Sequence, residues 1–267
     1  MAPIKGLKSN QGQMRSFIHQ RDLMLNLVRR NFILRYKGSV LGVLWSLLLP
    51  LAHLLVLAYL FGKVVRLGIE DYPAFVFTAL LPWNWFSSCI NSAGSLFLSN
   101  RDLLRRPNFA PYTLIIIDAL TNLLTFLISL PILFVLLISH GRGMTLSLPF
   151  FLLLVPIQGI LIIGLGLMIA TLNVFYRDIA HIMSVATMLL FYITPVFYGS
   201  QTVGKEYHFL FEWNPMAILI ENYRAVLFQG TSPEWHSLLI AFIFSAIVCY
   251  FGYLIYRRQI HNVIDAI

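Results

Sequence analysis

Long uncharged apolar runs alternate with short polar segments along almost the whole chain. Six of these runs are long enough for an α-helix to cross the hydrocarbon core of a bilayer, which takes about 20 residues. The only Asp, Glu, Lys or Arg within them is Asp118, near the start of the third run. The pattern predicts an all-α integral membrane fold with six transmembrane helices, at residues 38–61, 74–99, 111–138, 148–172, 179–198 and 237–256.

The segment before the first run has apolar positions that recur on one face of a helix. Within residues 14–35 these positions fall in about one third of a helical wheel, and the bases occupy a separate polar sector. This pattern predicts an amphipathic helix in the plane of the inner leaflet, and the alternative is a soluble helix packed on another subunit. Residues 1–37 then form a cytoplasmic N-terminal region and residues 38–267 a six-span domain. The apolar face comprises Met14, Phe17, Ile18, Met24, Leu25, Val28 and Phe32.

The longest segment outside the runs, residues 199–236, is too apolar for a solvated loop. Asn214 and Pro215 indicate a turn within it, and Gly230 indicates the end of a helix. We therefore predict two short re-entrant or interfacial helices on the outer face that meet near Pro215.

Composition agrees with a membrane protein and excludes other classes. Only 11% of the residues are charged and 58% are hydrophobic, whereas soluble domains carry about 25% charged residues. A water-soluble enzyme, a disordered chain and a disulfide scaffold are excluded. Cys89 and Cys249 both lie inside apolar runs, so we expect them to be packing residues.

The distribution of bases predicts the orientation of the spans. With the N-terminus inside, 14 of the 19 Lys and Arg residues lie in inner segments and five in outer segments. Because positive charge is retained on the cytoplasmic side, both termini are expected there. Residues 1–37 are basic and contain no apolar stretch followed by a cleavage site, so the first transmembrane helix is expected to direct insertion.

Few residues carry recognisable chemistry. Residues 199–205 match the first seven positions of a phosphate-binding loop, but Glu206 follows where Ser or Thr should bind magnesium, and no strand precedes them. No zinc-protease or nucleophile-elbow pattern is present, so we expect no catalytic group, metal or cofactor in this chain. Asp118 alone makes a poor proton relay, and we expect it to pair with a neighbouring helix or with inner bases.

A cluster of bases precedes the first run. Free backbone amides and the helix dipole favour anions at a helix N-terminus, so these bases indicate an access site for an anionic headgroup. The alternative is a generic positive-inside anchor. The residues of the predicted access site are Arg29, Arg30, Arg35, Lys37 and Gly38.

Seven segments, in order, resemble the membrane subunits of type-2 ABC exporters for polysaccharides, a family that includes O-antigen (Wzm-type), teichoic-acid and capsule exporters. The similarity covers residues 15–260. The first segment, RYKGSVLGVLW at residues 35–45, is followed by SLLLP. The others are LLPWNWFSS (80–88), NRDLLRR (100–106), LNVFYRDI (172–179), YITPVFY (192–198), WNP (213–215) and ENYR (221–224).

The resemblance implies a homodimer in the bacterial inner membrane that works with two copies of a separate ATPase, which would bind ATP and magnesium. The expected function is the permease half of an exporter that moves a lipid-linked polysaccharide, O-antigen above all, from cytoplasm to periplasm. An integral-membrane enzyme on lipid-linked sugars is disfavoured because the chain has no catalytic constellation. An ion-coupled flippase is disfavoured because the spans carry almost no charge. Nucleic acid is not an expected partner.

The resemblance also implies roles for particular residues. Residues 101–108 would contact the ATPase, through Arg101, Asp102, Arg105 and Arg106. Spans one and five would line the channel, where aromatic rings suit sugar faces. The alternative is that half of these rings are ordinary packing residues or belong to the aromatic belt at the membrane interface. The candidates are Trp45, Tyr59, Phe191, Tyr192, Phe197 and Tyr198. The outer gate would include Trp213, Asn214, Pro215, Glu221 and Arg224.

Overall fold

A computed structural model gives the structure of the chain and describes residues 24–35, 37–39, 41–106, 109–143, 145–200, 203–204, 206 and 209–266. These residues form helices, helical turns and loops, and no β-strand occurs among them, which confirms the predicted all-α class. In chain order the helices are α1 (24–35), α2 (Trp45–Leu57), α3 (Tyr72–Ser99), α4 (Arg101–Leu104), α5 (Tyr112–Ser139), α6 (Phe151–Phe175), α7 (Asp178–Ile193), α8 (Phe209–Glu212), α9 (Pro215–Tyr223) and α10 (Trp235–Ala266).

Four of these helices are long and apolar enough to cross a membrane: α2 with the π-helical turn after it, α5, α6 with the 3₁₀ turn before it, and α10. The chain is therefore a multi-pass membrane protein. Each of the other two predicted runs also contains a helix. Helix α3 is 28 residues long and mostly buried, and α7 is a shorter apolar helix of 16 residues. The count of six crossings stays a prediction.

The first long helix begins later than the sequence predicts. A 3₁₀ turn at Gly42–Leu44 precedes α2, and Gly38 lies in a turn outside it. The backbone φ is 82° at Gly38 and 49° at Gly42. Because glycine adopts such positive values without steric penalty, the two glycines turn the chain between α1 and α2. The predicted helix start at Gly38 is wrong.

Two other boundaries differ from the prediction by five residues or more. Helix α7 ends at Ile193, because Thr194 is extended with a ψ of 135° and Pro195 follows it. Helix α10 extends to Ala266, ten residues beyond the predicted end.

The N-terminal amphipathic segment is described in part. Residues 24–35 are helical, and residues 14–23 of the predicted helix lie outside the described residues. Val28 is buried and Phe32 half-buried, as expected for the apolar face. Leu25, which the helical wheel places on that face, is 56% exposed.

Helix α3 lies at the centre of the packing, and buried amides connect it to its neighbours. The Gln158 amide of α6 donates a hydrogen bond to the Pro82 carbonyl at 2.8 Å. The Asn173 amide donates to the Gly94 carbonyl at 2.7 Å, and its oxygen accepts from the Ala180 backbone amide at 2.9 Å. Asn173 thus fixes the start of α7 against α3.

The backbones of α6 and α10 approach closely at two glycines. A Cβ added at Gly164 would lie 2.5 Å from the Cys249 Cα, and one added at Gly252 would meet the Gly164 carbonyl. Small residues allow such backbone contact between membrane helices. Both cysteines are free thiols; Cys89 is buried and Cys249 is half-buried at this crossing, as expected for packing residues.

Candidate functional site

A cavity of about 760 Å³ lies between α2, α3 and α5, and polar side chains from all three helices line it. Asn84, Ser87, Ser88 and Asn91 of α3 have the i, i+3, i+4, i+7 spacing that places residues on one helix face. Helix α5 contributes Asn122, Thr125 and Ser129 at the same kind of spacing, and α2 contributes Ser46 and His53. We call the two sets on α3 and α5 the polar stripes.

The polar stripes are not among the predicted site residues. They lie inside runs that are predicted to be transmembrane because they lack charge, and Asn, Ser and Thr carry none. A search for polar residues with helical spacing inside the uncharged runs would have found them. Polar groups at membrane depth that face a cavity indicate a binding site or a pathway.

A chain of hydrogen bonds connects the end of α1 to α3 beside this cavity. The Arg35 guanidinium donates to the Asn122 side-chain oxygen at 2.9 Å. The Asn122 amide donates to Asp118 Oδ2 at 3.2 Å, and the Ser92 hydroxyl donates to the same oxygen at 2.6 Å. The prediction that Asp118 pairs with a neighbouring helix is confirmed.

Of the four bases in the predicted headgroup access site, one lines this cavity. Arg35 lines the cavity together with Trp45. Arg29, Arg30 and Lys37 are exposed and do not line it. The N-terminus of α2 is at Trp45, seven residues after Gly38, where the sequence predicts the helix to begin.

Four of the six predicted channel aromatics lie together at the end of α7. The Phe197 ring is centred 4.9 Å from Phe61, 5.8 Å from Phe191 and 5.0 Å from Tyr198. Tyr59 is 61% exposed, and Trp45 lies near the opposite end of α2. Three members of this group, Phe61, Trp83 and Phe211, are not among the predicted channel residues. We name the group the outer aromatic cluster after the predicted outer segment that it borders, and it comprises Phe61, Trp83, Phe191, Tyr192, Phe197, Tyr198 and Phe211.

Arg224 holds the backbone of the outer aromatic cluster in place. Its side chain is 1% exposed. The guanidinium donates to the carbonyl of Val196 at 2.8 Å and to that of Tyr198 at 3.3 Å. It also pairs with Glu221 at 3.1 Å and lies 3.8 Å from the centre of the Phe75 ring. Burial lowers the pKa of Arg224 to about 10, so the group keeps its charge at neutral pH.

The other predicted gate residues have different environments. The Asn214 side chain accepts from the Met216 backbone amide at 3.0 Å, as an N-cap of α9, and donates to the Thr194 hydroxyl at 2.9 Å. Pro215 is the first residue of α9, where proline is favoured. Trp213 is 77% exposed and lines a separate apolar cavity of about 500 Å³. The two helices expected on either side of Pro215 are present as α8 and α9.

The predicted ATPase-contact segment forms the one-turn helix α4. Leu104 is buried there against an apolar cluster that includes Phe97 and Val263. The charged residues Arg101, Asp102, Arg105 and Arg106 are exposed. Residues 107–108 of this segment lie outside the described residues. The turn is thus anchored by Leu104, with Leu103 packed against the same apolar cluster, and presents its charges at the surface.

Comparisons with known proteins found a matching family profile and several similar sequences. The profile of the ABC-2 type transporter family matches residues 23–228. The chain is 36% identical over 228 residues to the O-antigen export system permease protein RfbA of Myxococcus xanthus, which covers 85% of this chain and 88% of that protein. It is 31% identical over 220 residues to the RfbA protein of Klebsiella pneumoniae, with 82% and 85% covered. It is 27% identical over 238 residues to the polysialic acid transport protein KpsM of Escherichia coli, with 87% and 92% covered.

Proposed function

Because the chain belongs to the ABC-2 type transporter family, we propose that it is the transmembrane permease subunit of an ATP-driven polysaccharide exporter. Its substrate is a lipid-linked polysaccharide, O-antigen in the first place, which moves from cytoplasm to periplasm across the bacterial inner membrane. The observation that carries the proposal is the 36% identity, over 85% of the chain, to an O-antigen export permease.

The working unit in this proposal is a homodimer of six-span subunits with two copies of a separate ATPase, and both termini are cytoplasmic. The outer aromatic cluster and the polar stripes support a sugar substrate, because sugar faces stack on rings and sugar hydroxyls need polar partners. Helix α4, with its exposed charges, supports a contact with the ATPase.

Deletion of the gene in its host tests this function. The deletion is expected to remove the polysaccharide from the cell surface and to leave lipid-linked glycan in the inner membrane. Immunoblots of surface and inner-membrane fractions measure both pools, and an unchanged surface pool in the deletion strain would contradict the proposal.

Replacing Arg101, Asp102 and Arg105 together with Ala is expected to lower export severalfold. The exposed charges of α4 would no longer contact the ATPase, while buried Leu104 still anchors the turn. Surface polysaccharide and co-purified ATPase are the two measurements. Replacing Arg257 and Arg258 with Ala serves as the matched control, since these exposed bases lie on α10 and outside the coupling segment. Equal losses in both variants would argue against a specific role for α4.

Neutralising Arg35 and Lys37 with Gln is expected to weaken binding of a lipid diphosphate and to slow export. Each base near an anionic membrane surface contributes about 1 kcal/mol, so the double variant should bind up to about 30-fold more weakly. The double variant Arg35→Lys with Lys37→Arg is the control, because it exchanges the two side chains and keeps both charges. A topology reporter must confirm that the double variant inserts correctly. Normal export by a correctly inserted double variant would show that these bases serve only as a positive-inside anchor.

Asp118→Asn is expected to leave export close to the wild-type level. The asparagine keeps a side-chain oxygen that can accept from Ser92, so the contact between α3 and α5 persists. Surface polysaccharide is measured with and without a proton ionophore at constant cellular ATP. Export that stops on collapse of the proton gradient would favour an ion-coupled carrier.

A further inference from the structure

The cavity between α2, α3 and α5 contains polar groups that the packing of the chain does not use. Among the described residues, the side chains of Ser88 and Asn91 have no hydrogen-bond partner, and both residues are exposed to the cavity side of α3. Both lie far inside a 28-residue helix whose sequence is otherwise mostly apolar. Polar side chains at such depth are unfavourable against lipid tails, so an aqueous or ligand-filled space is expected beside them.

The lining of the cavity restricts the chemistry of its ligand. Hydroxyl and amide groups from the polar stripes can donate and accept hydrogen bonds, which suits a ligand rich in hydroxyl groups. Among the described residues that line the cavity, Arg35 is the permanently charged one and none carries a carboxylate, so an anionic group fits beside Arg35. Trp45 is 44% exposed and lines the same cavity, where its ring can stack on a sugar.

The size of the cavity also fits such a ligand. A volume of about 760 Å³ lies within the roughly 300–1,000 Å³ of pockets that bury a small organic ligand. A cavity of this volume can hold a short oligosaccharide segment. The rest of an extended polysaccharide would lie outside it.

We propose that this cavity is a sugar-binding site within each single subunit, which holds the sugars next to the diphosphate of the lipid-linked substrate. Arg35 contacts the phosphate end, the polar stripes bind sugar hydroxyls, and Trp45 stacks on a ring. The site rests on the proposed export function. It is separate from the outer aromatic cluster, which lies at the other end of α2.

Ser88→Leu tests the site, and Ser95→Leu is its matched control. Both serines are exposed on α3, two turns apart, but only Ser88 lines the cavity. Leucine at position 88 removes a hydroxyl and fills part of the space, and leucine at 95 makes the same chemical change outside it. Ser88→Ala removes the hydroxyl without adding volume. This second variant still tests the site if leucine at position 88 prevents folding.

Binding is measured on the full-length protein in detergent with two probes, a polyprenyl diphosphate that carries a hexose disaccharide and the same lipid diphosphate without sugar. The wild type is expected to prefer the sugar-bearing probe. Ser88→Leu should bind that probe about tenfold more weakly and Ser88→Ala about threefold, with the sugar-free probe unaffected. Ser95→Leu should retain the wild-type preference.

Three results would overturn the site. Wild-type protein that binds both probes equally has no sugar subsite, although a headgroup site and the export function would stand. A Ser88→Leu protein that still prefers the sugar-bearing probe would show that the sugars bind elsewhere. If Ser88→Leu instead dissociates dimers in light scattering, a second copy of the chain occupies the cavity. Wild-type protein that binds neither probe would contradict the proposed function itself.

Discussion

Gly164→Ala is expected to destabilise the protein by about 3 kcal/mol or more, the upper part of the range for overpacking. The added Cβ would lie 2.5 Å from the Cys249 Cα and 2.6 Å from its backbone nitrogen. Backbone atoms cannot rotate away as a side chain can, so α6 and α10 must separate. The apolar contacts between the two helices would weaken along the whole crossing.

Gly159→Ala is the matched control for this prediction. Gly159 also lies inside α6, and a Cβ there would meet only the Trp85 ring, at 3.8 Å. Alanine favours a helix over glycine by about 1 kcal/mol in both variants, so only the steric term differs between them. Thermal unfolding in detergent, followed by size-exclusion chromatography, measures the effect. Equal melting temperatures for the two variants would contradict the close α6–α10 contact.

Arg224→Met is expected to destabilise the outer region by about 2–6 kcal/mol, because two acceptors lose their donor at about 1–3 kcal/mol each. The carbonyls of Val196 and Tyr198 would lose their donor, and Met cannot replace the guanidinium that covers Phe75. The outer aromatic cluster should then lose its fixed backbone. Export should fall at least tenfold even where the protein still inserts.

Arg142→Met removes a similar set of contacts at a more exposed position. Arg142 pairs with Asp71 at 2.9 Å and lies 4.0 Å from the centre of the Phe228 ring, but its side chain is 31% exposed. An ion pair in contact with water contributes about 0–1 kcal/mol, so this variant should keep most of its stability and export. If Arg142→Met and Arg224→Met behave alike, burial of Arg224 does not control the outer region.

The sequence predicted the helices well because long apolar runs leave the backbone no alternative in a membrane. It failed at the boundaries where local backbone geometry decides. Gly38 and Gly42 adopt positive φ and delay the start of α2, and Pro195 ends α7 early. Composition alone does not reveal which of the 16 glycines take such conformations.

The candidate site was predictable only in part. The aromatic residues of the YITPVFY segment are close in sequence, and the structure brings their rings together in the outer aromatic cluster. Their role in lining a channel stays a prediction. The role of Arg224 was not predictable, because its carbonyl partners lie 26 and 28 positions away. Such long-range contacts depend on tertiary packing. The polar stripes could have been found, since their helical spacing is visible in the sequence.

The hydrogen-bond chain from Arg35 to Ser92 connects three parts of the proposed exporter. Arg35 ends α1, Asn122 and Asp118 belong to α5, and Ser92 belongs to α3. Helix α3 leads directly into α4, where the ATPase contact is proposed. Helix α3 thus joins the proposed ATPase contact to one wall of the proposed sugar-binding cavity.

ATP-dependent translocation by the purified complex is the most direct test of the account. The chain and its partner ATPase are reconstituted in proteoliposomes with radiolabelled lipid-linked polysaccharide, and a glycosidase added on the side opposite the ATPase detects translocated glycan. The account predicts translocation that needs both subunits and hydrolysable ATP and that continues when an ionophore removes the proton gradient. Translocation by the chain alone, driven by a proton gradient without ATP, would contradict it.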